Sequence, residues 1–275
     1  MNEAFIFFNG KTIAANQPVI TASNRGLRYG DGLFETMRYE EGNIPLAPFH
    51  FERLFKGLQL LQFECPGYFT PQYLQTQIEN LCKKNKMLRA RIRLTIVRGE
   101  GGLYDAANHF PNCIIETLPL QPRVWNENGL VGGIYTNAQK NADILATIKH
   151  NNYLLYAMAA LWAKQQRCND AIVLNNRQTV CDTTIANIFI VKDGRMQTPP
   201  LSDGAVAGTL RRWLLENATA ITGLPCEEAT INPHLLLSAD EVFFTNAIYG
   251  IRWVQRIENA AYGYQYSRQL FNALP

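Results

Sequence analysis

The stretch Arg89-Ala90-Arg91-Ile92-Arg93-Leu94-Thr95-Ile96-Val97-Arg98-Gly99 alternates polar and apolar residues through Ile96. A period of two is the pattern of a strand, because successive side chains of an extended chain point to opposite faces. Arg89, Arg91 and Arg93 fall on one face, and Ala90, Ile92, Leu94 and Ile96 fall on the other. Aligned arginines repel one another unless water or something anionic lies over them. That face is therefore either an edge turned to solvent or a cleft for a carboxylate. Arg98 has the opposite parity to Arg93, so a plain strand cannot aim both at one point.

The elements before and after this strand can be read in the same way. Phe5-Ile6-Phe7-Phe8 followed by Asn9-Gly10 is a strand entering a hairpin turn. Gly26, Gly30 and Gly32 precede Leu33-Phe34-Glu35-Thr36-Met37, which reads as a tight loop feeding a strand. The glycines lack the GxGxxG order and no helix follows, so a turn with aromatic packing is a simpler reading than a phosphate cradle. A helix starts near Phe49 with Leu54, Leu58 and Leu61 on one face, and Tyr73 to Lys84 repeats the spacing through Leu74, Ile78 and Leu81. By its type, Arg53 on the first of these would be a surface charge.

Leu118-Pro119-Leu120-Gln121-Pro122-Arg123 reads as a connector after a strand at Cys113 to Glu116, dividing the chain into 1–118 and 119–275. The second part holds strands at 130–135, 171–174, 187–191, 195–198 and 241–245. It also holds helices from an Asn151 or Asn152 N-cap to about Gln166, and from Thr209 to Ala220. Strands and helices mix without a regular βαβ rhythm, which predicts an α+β (mixed α/β) class rather than a barrel.

Composition removes several functions. A chain of 275 residues has room for one large or two modest domains, and 47% hydrophobic content does not support disorder. A formal charge of +3 is too small to indicate a nucleic-acid binder, and Lys83-Lys84-Asn85-Lys86 reads as a solvated helix end. The six cysteines include no CxxC pair and read as reduced thiols, and the four histidines lie too far apart in sequence for a zinc motif. The start, Met1-Asn2-Glu3-Ala4-Phe5-Ile6, lacks the basic region of a signal peptide, and the apolar run Leu154 to Ala163 is too short to span a bilayer. A cytoplasmic protein with neither membrane nor nucleic-acid partners is expected.

Three segments carry chemistry. Lys149 follows the apolar approach Ile144-Leu145-Ala146-Thr147-Ile148 and precedes a helical run. An amine that attacks an aldehyde must be neutral, which burial or nearby positive charge favours. Asp182 sits between a strand end and a Thr-Thr pair, where a carboxylate could hold a pyridine nitrogen in its protonated, electron-accepting form. Gly208-Thr209 opens a helix whose free N–H groups suit a phosphate, and Thr245-Asn246, leaving a strand, could add a second contact. Taken singly, each has a plainer reading: a surface lysine, a turn aspartate, a helix start. Together they are the parts needed to hold pyridoxal phosphate as a Schiff base.

At this point a resemblance becomes specific. The sequence resembles the class IV aminotransferases, the fold-type IV pyridoxal-phosphate enzymes. It does so through Arg25-Gly26, Tyr29-Gly30-Asp31-Gly32-Leu33-Phe34-Glu35-Thr36, His50-x-x-Arg53-Leu54, Ile148-Lys149-x-x-Asn152-Tyr153-Leu154, Asn187-Ile188-Phe189, Thr198-Pro199-Pro200 and Gly208-Thr209-Leu210-Arg211. The resemblance implies a two-domain fold with the cofactor in the interdomain cleft, and a homodimer acting on a small amino substrate. It implies Lys149 as cofactor lysine and proton shuttle, Arg53 on the phosphate with Gly208, Thr209, Thr245 and Asn246, and Tyr153 near the phenolic oxygen. Tyr29, Phe34 and Arg38 fall where the family builds its substrate pocket, and Arg93 and Arg98 where different branches hold a substrate carboxylate. The family usually has glutamate five residues before its Asn-hydrophobic-Phe motif; this chain has the shorter Asp182. The Thr245-Asn246-Ala247-Ile248 segment resembles the aminodeoxychorismate lyase branch more than the branched-chain transaminases. The Arg98-Gly99 pair recurs in both the lyase and the D-amino acid branches. The lyase is slightly favoured over a branched-chain or D-amino acid transaminase, with a non-catalytic cofactor-binding protein as a more distant alternative.

Overall fold

The structure is a computed structural model that describes residues 4–104 and 108–275. Met1-Asn2-Glu3, read above for their lack of basic charge, lie outside the described residues. By contact density the chain forms two units, Met1–Pro122 with Ile148–Asn152, and Arg123–Thr147 with Tyr153–Pro275. Relative to the boundary expected after residue 118, the division falls four residues later, and one short segment returns to the first unit. Two local causes are visible. The strand ending the first unit runs on through Pro119. In addition, Phe34 N–H donates to Lys149 O and Asn151 N–H to Gly32 O, tying 148–152 to a first-unit strand.

The first unit contains β1 (Phe5–Phe8), β2 (Lys11–Ala14), α1 (Arg25–Tyr29), β3 (Gly32–Glu40), α2 (Ala47–Leu60), α3 (Pro71–Lys84), β4 (Arg89–Val97) and β5 (Asn112–Pro119). Its strands form an antiparallel sheet in the order β2-β1-β5-β4-β3. The alternation in β4 does what its period requires. Ala90, Ile92, Leu94 and Ile96 are fully buried in a core with Leu33, Met37 and Tyr39 of β3, Leu54 and Leu58 of α2, and Leu74, Ile78 and Leu81 of α3. Burying each large side chain of this set stabilises the fold by roughly 1.5–3 kcal/mol.

The glycine-rich segment before β3 is not all loop. Asn24 caps a short helix, its Oδ1 accepting from Gly26 and Leu27 N–H, and Gly30 in the left-handed region ends it. The expected turn is thus α1 plus a tight exit. Gly32 is required there by close approach, since a Cβ would overlap the carbonyl oxygen of Ile96.

The second unit contains β6 (Leu130–Lys140), α4 (Leu154–Gln165), β7 (Asp170–Asn175), β8 (Val180–Thr183), β9 (Asn187–Lys192), β10 (Arg195–Thr198), α5 (Thr209–Thr222), β11 (Cys226–Glu228), α6 (Pro233–Leu237), β12 (Glu241–Asn246), β13 (Gly250–Ile257) and α7 (Gln265–Asn272). The sheet runs β11-β10-β9-β12-β13-β6-β7-β8 and is mixed, with parallel pairs at β10/β11, β13/β6 and β6/β7. Ile188, Ile190, Val242, Phe244 and Val254 pack into one core. Phe189 and Phe243, on the opposite parity, stack at 5.2 Å with planes 6° apart. Helix α4 starts after Tyr153 with no side-chain cap. Asn151, expected as a cap, instead donates its side-chain amide to Ile96 O. Among the described residues, no helix is long and apolar enough to cross a membrane.

Candidate active site

Within the first unit, β3 presents two sets of residues on its two faces. Phe34, Thr36 and Arg38 share one parity, and the register sets Thr36 opposite Arg93 and Arg38 opposite Arg91. The arginine face of β4 is therefore continued by Phe34 and Arg38. Lys149, tied to Phe34 through the backbone, carries its Nζ to 4.4 Å from the Phe34 ring centroid, and the Arg93 guanidinium lies 4.0 Å from the same centroid. A ring face attracts cations through its quadrupole, so Phe34 is in contact with both an amine and a guanidinium. Of the two readings left open for this face, solvent edge or anion cleft, this pair of contacts fits the second.

On the other parity stands Glu35, fully buried among apolar residues. Arg53 of α2 donates Nε to its Oε1 at 2.7 Å and Nη2 to its Oε2 at 2.6 Å, a two-pronged pair. His50, one turn earlier on α2, lies with Nδ1 2.7 Å from Oε2. Burial raises the Glu35 carboxyl, but the charges and hydrogen bonds of Arg53 and His50 outweigh it and hold the carboxyl down at about 2. Burial drives the His50 imidazole down. An ionised carboxylate only accepts, so Nδ1 of a neutral His50 carries the hydrogen and donates it. Arg53 is thus no surface charge. Its guanidinium is oriented by a carboxylate that faces the core, the state in which it could meet a phosphate.

The remaining first-unit positions separate. Arg98 is buried. It donates Nε to both Asp31 oxygens, and its Nη atoms engage Gln62 O, Leu61 O and the His109 ring. Its parity and these internal partners make it an anchor of the segment before β3, apart from Arg93, which stands over Phe34. Arg38 is buried with Nε on Glu40 and Nη2 on Gln121 O. Tyr29, at the end of α1, is 41% exposed, with the Arg25 guanidinium over its ring.

In the second unit three expected positions, Asp182, Gly208 and Thr245, assemble around Asn187. Its Nδ2 donates to Asp182 Oδ1 at 3.0 Å and to Val206 O at 2.8 Å, which fastens the end of β8 to the turn before α5. A Cβ on Gly208 would overlap Asn187 Oδ1, so glycine is required where the turn passes this amide. Thr245 is the cross-strand partner of Asn187, and its buried Oγ1 has no hydrogen-bond partner. An unmade hydrogen bond at a buried hydroxyl is costly. Thr209 is the first residue of α5, whose start at Gly208 offers no side-chain acceptor. An orphaned hydroxyl, a glycine turn and a helix N-terminus fit a phosphate group. Asn246 bends the next turn, accepting from Ile248 and Tyr249 N–H.

Asp182 itself is nearly sealed from solvent. Besides Asn187 it accepts from the Val206 N–H, the Tyr156 hydroxyl at 2.9 Å and the Lys140 amine at 3.0 Å. Burial, and then the Asp182 charge, push the Tyr156 hydroxyl well above its ordinary range, so it remains a donor. Tyr153 stacks obliquely on Tyr156 at 4.6 Å. Sequence reasoning missed Lys140, Tyr156 and Asn187 as neighbours of Asp182. It also missed Glu35 behind Arg53, although a charge at core parity between Leu33 and Met37 is a signal that a partner must exist.

Known proteins resemble this chain over most of its length. The family model described as Amino-transferase class IV matches residues 32–257. An aminodeoxychorismate lyase of Bacillus subtilis is 31% identical over 276 residues, covering 94% of this chain and 89% of that protein. A D-alanine aminotransferase of Staphylococcus haemolyticus is 26% identical, covering 94% and 90%. The solved branched-chain aminotransferase of Thermoproteus uzoniensis superposes with a TM-score of 0.90 at 22% identity, over 99% of this chain and 93% of that one.

Proposed function

Because this chain belongs to the class IV aminotransferases, enzymes of fold type IV that use pyridoxal 5′-phosphate, we propose that it is an aminodeoxychorismate lyase releasing 4-aminobenzoate and pyruvate. The observation that carries this reading is the cationic face of the first unit, where Arg93 and Lys149 both lie against the Phe34 ring and Arg91 and Arg38 share the face of Arg93. Aminodeoxychorismate carries two carboxylates. It calls for more fixed positive charge beside the lysine than D-alanine or a branched-chain amino acid does. The Bacillus subtilis relative of that name supports the same branch.

When bound, pyridoxal phosphate supplies an aldehyde carbon for the substrate amine and an acceptor for the electron pair left by a departing proton. The chain supplies the rest. Lys149 holds the cofactor covalently and then takes and returns the proton at Nζ. Arg93 binds a substrate carboxylate. In the first unit Arg53, oriented by Glu35, would hold the phosphate; in the second, Thr209, Thr245 and the Gly208 turn would do so, and Asp182 would pair with the ring nitrogen. Tyr153 would interact with the phenolic oxygen, Tyr29 and Phe34 would shape the pocket, and the enzyme acts as a cytoplasmic homodimer.

The test is to offer the purified holoenzyme aminodeoxychorismate, D-alanine and branched-chain L-amino acids, following absorbance and products by mass spectrometry. The lyase reading expects 4-aminobenzoate with pyruvate. Turnover of an amino acid to its keto acid without 4-aminobenzoate would make the protein a transaminase. Arg93→Gln should raise KM about 10- to 100-fold with a smaller change in kcat, as loss of a charge-assisted contact to the substrate does. Borohydride reduction and peptide mapping should find the cofactor on Lys149; a label on another lysine would sink that assignment.

A further inference from the structure

The Asp182 cluster contains a group to which the resemblance assigned no role. Lys140 is the last residue of β6, and its side chain is 7% exposed. Its Nζ donates to Asp182 Oδ2 at 3.0 Å and to Ala146 O at 3.1 Å, and lies 5.3 Å from the Tyr156 ring centroid. A buried ammonium is retained in such a place only with a counter-charge, and the carboxylate at hand is Asp182. A carboxylate offers about four lone-pair sites. Lys140, Tyr156, Asn187 and the Val206 N–H are four donors to these two oxygens. Asp182 is therefore not a bare anion waiting for a ligand. Its charge is already balanced, and its lone pairs are engaged, by the chain's own groups.

A ring nitrogen that is to be held protonated competes with Lys140 for the same carboxylate. Two cations sharing one anion each receive less stabilisation than either would alone. We propose that Lys140 is a positioning residue that, by pairing with Asp182, withholds that carboxylate's charge from the cofactor ring nitrogen, so the nitrogen contributes little to cofactor binding. The inference rests on the assignment of Asp182 to the ring nitrogen. It concerns how strongly the residue acts there, and it gives the shorter aspartate a physical context: the carboxylate is held back within its own unit.

The experiment compares affinities of the full-length apoprotein for pyridoxal phosphate and for its analogue with the ring nitrogen replaced by C–H, measured by calorimetry. The proteins are the wild type, Lys140→Gln, Lys140→Arg, and Lys140→Gln combined with Asp182→Asn. Glutamine keeps donors for Ala146 O and Asp182 but removes the charge. The wild type should bind the two compounds within about threefold, and Lys140→Gln should favour pyridoxal phosphate by at least about tenfold, the worth of one hydrogen bond to a charged group. Lys140→Arg should match the wild type, and the double variant should return to the wild-type ratio. A merely structural lysine would change both affinities together and leave the ratio unmoved.

A wild-type protein that already prefers pyridoxal phosphate tenfold, with no rise in Lys140→Gln, overturns the role of Lys140 while leaving Asp182 at the ring nitrogen. The same ratio in all four proteins overturns the Asp182 assignment itself. If Lys140→Gln does not fold, the wild-type ratio still decides, because a tenfold preference there contradicts the proposal.

Discussion

In each unit of this enzyme a buried carboxylate of the candidate site meets a cation, and the two pairs are built differently. In the first unit Glu35 meets Arg53 through two parallel hydrogen bonds, with a neutral histidine on the second oxygen. In the second, Asp182 meets Lys140 through a single contact and shares its oxygens with a tyrosine hydroxyl, an amide and a backbone N–H. A guanidinium in a two-pronged pair is fixed in plane and direction, whereas an ammonium is a compact point charge that three donors can re-aim. The first arrangement serves to orient the cation, so that Arg53 is held ready. The second serves to balance the anion, so that Asp182 is moderated.

The comparison is broken most severely by removing an anion. Glu35→Ala strips Arg53, whose side chain is 11% exposed, of its buried carboxylate and should cost about 3 kcal/mol, the lower end for loss of one partner of a buried pair. Thermal or denaturant unfolding measures the loss, and a change under about 1 kcal/mol would show that the pair does not orient Arg53.

Acid comes next. Glu35 is held at about 2 against an ordinary 4.5. Its contribution, about 3 kcal/mol, is present in full above pH 4.5 and is lost as pH falls from 4.5 toward 2. His50, driven below its ordinary 6.5, acts with the same sign: below pH 6.5 the unfolded chain takes up a proton that the folded one refuses. Unfolding free energy measured across pH should decline below 6.5 and steepen below 4.5. Glu35→Gln should flatten the lower part of that slope.

The smallest effect sharpens the second pair. Tyr156→Phe removes one of four donors to Asp182 and leaves the charge balance of Lys140 in place, so it should cost about 1.5 kcal/mol. A loss as large as that of Glu35→Ala would mean that Tyr156, rather than Lys140, secures the carboxylate.

Much of this was legible beforehand because it is local. The two faces of β4, the buried stripes of α2 and α3, and the Asn9-Gly10 hairpin follow from period and turn chemistry. Local reasoning also failed in identifiable places. The segment of Gly26, Gly30 and Gly32 reads as a loop, because its glycines mask a helix only five residues long that Asn24 caps. Asn151 was read as a cap and instead binds β4, since a side chain that can reach a helix start can also reach a neighbouring carbonyl. The parity of Arg98, opposite to that of Arg93, excludes a shared target but does not name its partners, which are Asp31 and the chain around Leu61.

The sequence by itself determined the family and much of the order of strands and helices, because motifs and periodicity are properties of neighbouring residues. Which cation meets which carboxylate was decided only in three dimensions. Lys140 and Asp182 are 42 residues apart, and Glu35 and Arg53 are 18 apart. No local pattern distinguishes a lysine that ends a strand in solvent from one that ends it against a buried aspartate. The energy that separates them, the cost of an uncompensated buried charge, exists only after the chain has folded.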